Sequence, residues 1–276
     1  MTTTNDLRQS GAAMVVLDID GTIAPSGTAE VTAAVRAAVA RVRAAGHHVV
    51  LGSGRSLVGV VPIARLLGIT AGWVVASNGA VTARLDPQAP DGYRLHQAIT
   101  FDPGPVVRRT RSAFPGARVA AELVGRGYKV SHLFTPHELN GAQQIVDVAE
   151  VIDRHTTRLV LSAPGITVLR SKLQAVGVTV TPAGDNWLDV TPPGLSKATA
   201  LEYVRTQLDV HPSRTTAVGD GINDLEMLAW ANRGVAMGHA PAEVRAAADD
   251  VTGTLQDDGA ATVLRSLLPE TMPAGR

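Results

Sequence analysis

Three short apolar runs, "MVVL", "HVVLGSG" and "WVVASNGA", alternate with two stretches of helical spacing in the first 80 residues. Between Thr28 and Ala45, Val31, Val35, Val39 and Val42 recur at helical intervals and Gly46 supplies a stop. "LVGVVPIARLLG" also reads as helix, with Pro62 near its first turn or at a kink. Strand, helix, strand, helix, strand predicts a parallel sheet with crossover helices. Few other folds accept that rhythm.

The rhythm breaks near Arg84 and returns after Asp185. Between them lie Pro- and Gly-rich joints ("LDPQAPDG", "FDPGP", "FPGARV", "SAPG") and short strands and helices, among them "GAQQIVDVAEVI" and "ITVLRSKLQAVG". Afterwards "NWLDVTPPG" reads as a strand. Ser196 is a candidate N-cap for "KATALEYVRTQL", and "RTTAVGDGIND" is a strand running into acids. The expected architecture is an α/β, Rossmann-like parallel-sheet core formed by 1–83 and 185–276. An α+β cap, 84–184, is inserted into it. A chain of 276 residues, 45% hydrophobic, can bury a core of that size.

Composition removes several classes. Lys plus Arg equals Asp plus Glu at 25 each, so bulk charge points to neither nucleic acid nor a membrane surface. The absence of cysteine excludes disulfides, thiol catalysis and Cys-held zinc. "MTTTNDLRQSGAA" has no apolar leader region and no apolar run reaches membrane-spanning length, so a soluble cytoplasmic protein is expected.

Ligands of an open parallel sheet bind beyond the carboxyl ends of its strands. Four segments put reactive groups there: Asp18 and Asp20 in "LDIDGT", "GSGRS" from Gly52, Lys197 at a helix start, and "GDGIND" from Gly219. Asp18, Asp20, Asp220 and Asp224 would repel one another without a cation, and oxygen-only ligands favour Mg²⁺. Ser53 and the amides around Gly54 form a small phosphate cradle at a helix start. Lys197 adds a point charge suited to a phosphoryl oxygen. Asn223 either contacts phosphate or caps the next helix. Two carboxylates two residues apart can divide nucleophilic attack from proton transfer.

At these residues the chain resembles the haloacid dehalogenase superfamily of phosphohydrolases. The pattern Asp-x-Asp-Gly-Thr stands as "DIDGT", the second motif as "VVLGSGR", the third as the lysine of "GLSKATAL" and the fourth as "GDGINDLEML", in family order. An insert between the second and third motifs is similar to the subclass with a large α/β cap, type IIB, rich in sugar-phosphate phosphatases. The resemblance implies Asp18 as nucleophile and Asp20 as acid/base. It implies Mg²⁺ held by Asp18, the Asp20 carbonyl and Asp220. Ser53 replaces the commoner Thr and keeps the hydroxyl.

Other residues have plainer readings. Arg55 is expected to pair with a core acid. Asn78-Gly79 reads as the turn leading into the cap, and His47 and His48 as structural. The cap holds twelve Lys and Arg against eight Asp and Glu, which suits an anionic or hydroxyl-rich substrate. Within "GRGYKVSH", Arg126, Lys129 and His132, together with Tyr128, are the candidate specificity residues. The expected partner is a small phosphorylated metabolite, and the reaction Mg²⁺-dependent hydrolysis of its phosphomonoester through an aspartyl phosphate. A phosphomutase shares these motifs. A phosphoacceptor signalling domain would need neither Asp20 nor the large insert.

Overall fold

The first strand shows why the sheet is double-sided. β1 (Met14–Leu17) is buried at every position. Val15 and Leu17 join a cluster on one face while Met14 and Val16 join a second cluster on the other. Helices therefore cover both faces, as the unbroken apolar run requires. The computed structural model describes residues 11–269. The polar stretch 1–10 lies outside them.

The chain continues as α1 (Ala33–Ala44), β2 (His48–Gly52), α2 (Leu57–Leu66), β3 (Gly72–Ala76), β4 (Val81–Leu85) and β5 (Tyr93–Ala98). α1 starts later than its valine periodicity predicts, because the Thr32 hydroxyl caps it by accepting from the Val35 N–H at 3.2 Å. Pro62 sits inside α2.

Next come α3 (Gly104–Ala113), β6 (Arg118–Leu123), β7 (Gly127–Val130), β8 (Ala142–Ile145), α4 (Val148–Val151), β9 (Leu159–Ser162), α5 (Arg170–Gln174), β10 (Thr179–Pro182) and β11 (Trp187–Thr191). The chain then returns through α6 (Lys197–Gln207), β12 (Thr215–Gly219), α7 (Leu225–Trp230), β13 (Arg233–Ala236), α8 (Ala242–Ala247), β14 (Asp250–Val251) and α9 (Gly259–Ser266).

Two sheets result. The larger has the order β14-β13-β12-β1-β2-β3-β4-β5, parallel from β14 to β3. The second has the order β10-β11-β9-β6-β7-β8 and is antiparallel except for β7 with β8. This is the α/β core with an α+β insert that the sequence predicts.

The expected limits at 84 and 184 do not coincide with the division between sheets. β4 and β5 add antiparallel to the core edge and carry it to Ala98. β11 belongs to the second sheet, pairing with β9 and β10. "NWLDVT" is thus a strand, but of the insert rather than the core.

One face of the second sheet is apolar. Val119, Ala121, Leu159, Leu161, Leu188 and Val190 pack there with α3 and α5 residues. The alternate positions, Glu122, Arg158 and Asp189, are polar yet buried, and Glu122 and Asp189 bond to Ser77 and Asn78 of the core. That seam contains the site.

Candidate active site

Asp18 follows directly on β1. Its N–H donates to Val218 O at 3.0 Å, which continues the parallel ladder by one residue and fixes the side chain at the sheet's carboxyl end. The chain then folds over itself, with Ile19 O accepting from the N–H groups of Thr22, Ile23 and Ala24. Gly21 has φ +78°, and a Cβ there would lie 2.2 Å from Asp220 Oδ2. Only glycine gives both the left-handed turn and the close approach of the acidic loop.

Lys197, the first residue of α6, is fully buried. Its ammonium donates to Asp18 Oδ1 at 2.6 Å and Asp224 Oδ1 at 2.7 Å. Asp224 Oδ2 accepts from the Asp220 and Gly221 N–H groups at 3.0 and 2.9 Å. Both Asp224 oxygens thus have partners, and the residue braces the loop and the lysine. Thr22 donates to Asp220 Oδ1 at 3.2 Å.

Asp20 is gripped from the side. Arg55 donates Nε to Oδ2 at 2.8 Å and Nη2 to Oδ1 at 2.7 Å, and the Gly27 N–H adds a bond of 2.8 Å. The expectation that Arg55 pairs with a core acid holds, but the acid is Asp20 of the site itself. Burial pushes the Asp20 carboxyl up. The Arg55 and Gly27 bonds outweigh it and hold the group below its ordinary value. Asp20 therefore stands here in its base form.

The other acids are short of positive charge. Burial pushes the Asp18 carboxyl up, Lys197 pulls it down, and Asp224, Asp220 and Asp20 push it up again. Asp220 is pushed up to about 6, by burial first and Asp224 second. Carboxylate oxygens of Asp18, Asp220 and Asp224 come within 4.8 Å of one another. An all-oxygen donor set with one ammonium among several carboxylates fits a hard cation. Asp18 and Asp220 would hold it, with Asp224 behind them, and it would supply the missing positive charge.

This crowding has a measurable consequence. Between the ordinary carboxylate value and about 6, folded Asp220 keeps a proton that the unfolded chain releases. The unfolded state then binds fewer protons, so this group's contribution falls as pH rises through that window and is least above pH 6. The ceiling is about 3 kcal/mol, or several degrees of melting temperature. A divalent cation is expected to raise the melting temperature clearly at pH 7.5 and little at pH 5, where protons occupy its ligands. Comparing cation-loaded with chelated protein at each pH cancels the rest of the titration. An equal cation effect at both pH values would remove the assignment.

A cavity of about 270 Å³ opens between core and insert. Asp18, Asp20, Gly54, Arg55, Asp220 and Asn223 line its core side. His137, Asn140, Arg158, Trp187 and Asp189 line the opposite side. Ser53, fully buried, lies just behind Gly54, its Oγ accepting from the Arg55 N–H at 3.1 Å. Asp18, Asp20, Ser53, Gly54, Lys197, Asp220, Asn223 and Asp224 thus converge, as their motifs predict.

Arg126, Lys129 and His132 do not line this cavity. Side chains alternate along a strand, so Tyr128 and Lys129 cannot share a face. Tyr128 faces the seam, where Arg158 Nη1 donates to its hydroxyl at 3.0 Å. Lys129 faces the other way and pairs with Asp153 at 2.8 Å. Arg126, at the β6–β7 turn, and His132, past β7, are exposed.

Their place is taken by Arg158, Asp189 and Trp187. Asp189 Oδ1 accepts from Arg158 Nε and Nη2 at 3.0 and 2.7 Å and from Trp187 Nε1 at 3.0 Å. The alternation in "WLDVT" carries a signal for them: Leu188 and Val190 face the apolar core, so Trp187 and Asp189 face elsewhere. Asn78, read from sequence as a turn, also lines the cavity.

The sequence profile of the haloacid dehalogenase-like hydrolases matches residues 15–99 and 141–264. The chain belongs to that family. Phosphatase YwpJ of Bacillus subtilis is 26% identical to it over 92% of this chain and 99% of its own. A phosphoglycolate phosphatase of Methanoculleus marisnigri is 29% identical over 92% and 96% of the two chains. Among solved structures, the haloacid dehalogenase subclass IIB sugar phosphatase BT4131 superposes with a TM-score of 0.79 at 18% identity. It covers 93% of this chain and 99% of that one, so it shares the fold. The chain is a phosphatase of the haloacid dehalogenase type, with the Rossmann-like core and inserted cap of that family. Among the described residues no helix is long and apolar enough to cross a membrane.

Proposed function

We propose that the protein is a Mg²⁺-dependent phosphatase that hydrolyses a small phosphomonoester, a sugar phosphate or related metabolite, through an aspartyl phosphate on Asp18. The observation that carries this reading is the buried Lys197–Asp18 contact, with Asp18 lining a cavity that Asp20 also lines.

An Asp18 oxygen bonds to phosphorus as the bond to the leaving oxygen breaks. Asp20, once protonated, gives its proton to that oxygen. Asp20 then takes a proton from water, the water oxygen bonds to phosphorus, and the Asp18–phosphorus bond breaks. Lys197 holds Asp18 in place, and the Gly54 amide and Asn223 face the phosphate. Mg²⁺ held by Asp18 and Asp220 would offset the charge of the incoming phosphate.

The second sheet with α3 to α5 serves as the cap and holds the leaving group. Its site-facing wall carries Trp187, a flat apolar surface, beside polar groups, which suits a compact hydroxyl-bearing group. A cavity of about 270 Å³ lies near the small end of ligand pockets and favours a small metabolite.

Screening phosphorylated metabolites for phosphate release tests the reading. Chelation is expected to abolish release and Mg²⁺ to restore it. Ca²⁺ should support it poorly, since it prefers more ligands and looser geometry. Full activity after exhaustive chelation would overturn the metal assignment. Return of the phosphoryl group to a sugar rather than to water would replace hydrolysis by mutase chemistry.

A further inference from the structure

Asn78 stands where core and cap meet. It is 5% exposed, and its backbone is left-handed at φ +53°. Asn adopts that region more readily than most residues. Its N–H donates to Ser53 O at 3.1 Å, which ties the turn to the phosphate loop.

The side chain reaches in two directions. Its nitrogen donates to Asp189 Oδ2 at 3.2 Å, and its oxygen accepts from Asn223 Nδ2 at 3.1 Å. A carboxylate can only accept, so the amide orientation is determined. Gly54 leaves room for the arrangement: a Cβ there would lie 3.1 Å from Asn78 Oδ1 and 3.5 Å from Asn223 Nδ2.

On the cap side, Asp189 is held by Arg158 and Trp187 as described above. Hydrogen bonds therefore connect Asn223, at the phosphate end of the cavity, through Asn78 to the wall opposite. A separate contact, Ser77 Oγ to Glu122 Oε2 at 2.7 Å, crosses the same seam nearby.

We propose that Asn78 is a positioning residue that registers the cap wall of Asp189, Arg158 and Trp187 against the phosphate end of the site. It rests on the phosphatase reading and adds a coupling between cap position and the reacting centre. The cap holds a leaving group in line with Asp18 only in this register. A turn residue of purely local importance would not depend on the identity of residue 189.

An exchange of the two side chains separates these possibilities. Asn78→Asp sets carboxylate against carboxylate. Asp189→Asn takes away the carboxylate beside the buried Arg158 guanidinium. In the double variant, Asn78→Asp with Asp189→Asn, donor and acceptor trade places and one negative charge again stands near Arg158. The second oxygen of the new carboxylate still accepts from Asn223.

With p-nitrophenyl phosphate as substrate, each single variant is expected to lose about 10-fold in kcat/KM and the double variant to return within about 3-fold of wild type. Asn78→Gly accepts the positive φ without strain. It should melt near wild type yet lose activity like Asn78→Asp, with no rescue by Asp189→Asn.

Additive losses in the double variant would overturn the proposal. So would coupling seen in melting temperature and not in kcat/KM, which would make the pair structural only. A wild-type protein with no turnover of this substrate or of any phosphorylated metabolite in the panel defeats the phosphatase reading itself, and the positioning role with it.

Discussion

Asp18→Asn is expected to fold and to lose turnover by on the order of 10⁴- to 10⁶-fold, the range found when the attacking member of a concerted site is removed. An amide nitrogen or oxygen cannot take the carboxylate's place on phosphorus. The substitution is nearly isosteric, and Lys197 keeps Asp224 as its counter-charge at 2.7 Å. The fold has a reason to improve without metal. Asp224, Asp220 and Asp20 each push the Asp18 carboxyl up, so one charge fewer relieves three repulsions. Chelated Asp18→Asn protein should melt no lower than chelated wild type at pH 7.5, while its Mg²⁺-induced stabilisation shrinks. Phosphate release and melting curves on one preparation check both points. Near wild-type release from a protein free of contaminating enzyme would remove Asp18 as nucleophile.

The core was legible because its signals are local. β1 is apolar at every position and ends on carboxylates, and each motif spans a few residues at a strand end. What lies across the cavity depends on contacts between distant residues. Asn78 meets Asp189, 111 positions later, and Arg158 meets Asp189, 31 positions later. No short window contains either pair.

Lys129 shows a second limit. Period-two alternation in "GYKV" was visible, but it does not say which face meets the cavity. That was decided by α4 and the loop after it, where Glu150 O and Asp153 take the lysine. The boundary at 84 fell inside β4 for a related reason. The hairpin of β4 and β5 is antiparallel and partly exposed, so it breaks the parallel rhythm while still extending the core sheet. Charge counted over the whole cap was a weak guide as well, because Arg118, Lys129 and Arg158 are paired with Glu138, Asp153 and Asp189.

Asp20→Asn should leave Mg²⁺ binding by Asp18 and Asp220 largely intact and slow turnover by about 10²- to 10⁴-fold, the usual share of general acid–base catalysis. The substrate decides which step reveals the loss. An alkyl phosphate needs a proton on its departing oxygen, so formation of the aspartyl phosphate itself slows. p-Nitrophenolate leaves without a proton, so attack by Asp18 proceeds and only the water step lacks its base. Rapid mixing of Asp20→Asn with p-nitrophenyl phosphate should then give a burst approaching one nitrophenolate per enzyme, followed by a slow steady state. Arg55 sharpens the test. It now holds Asp20 ionised through two bonds, and an amide would keep at most one of them as an acceptor. The guanidinium retains Thr28 O at 2.8 Å, so the loop should not collapse. A variant that shows neither burst nor loss in kcat, and differs from wild type only in KM, would reduce Asp20 to a binding group and leave the proton transfers to another residue.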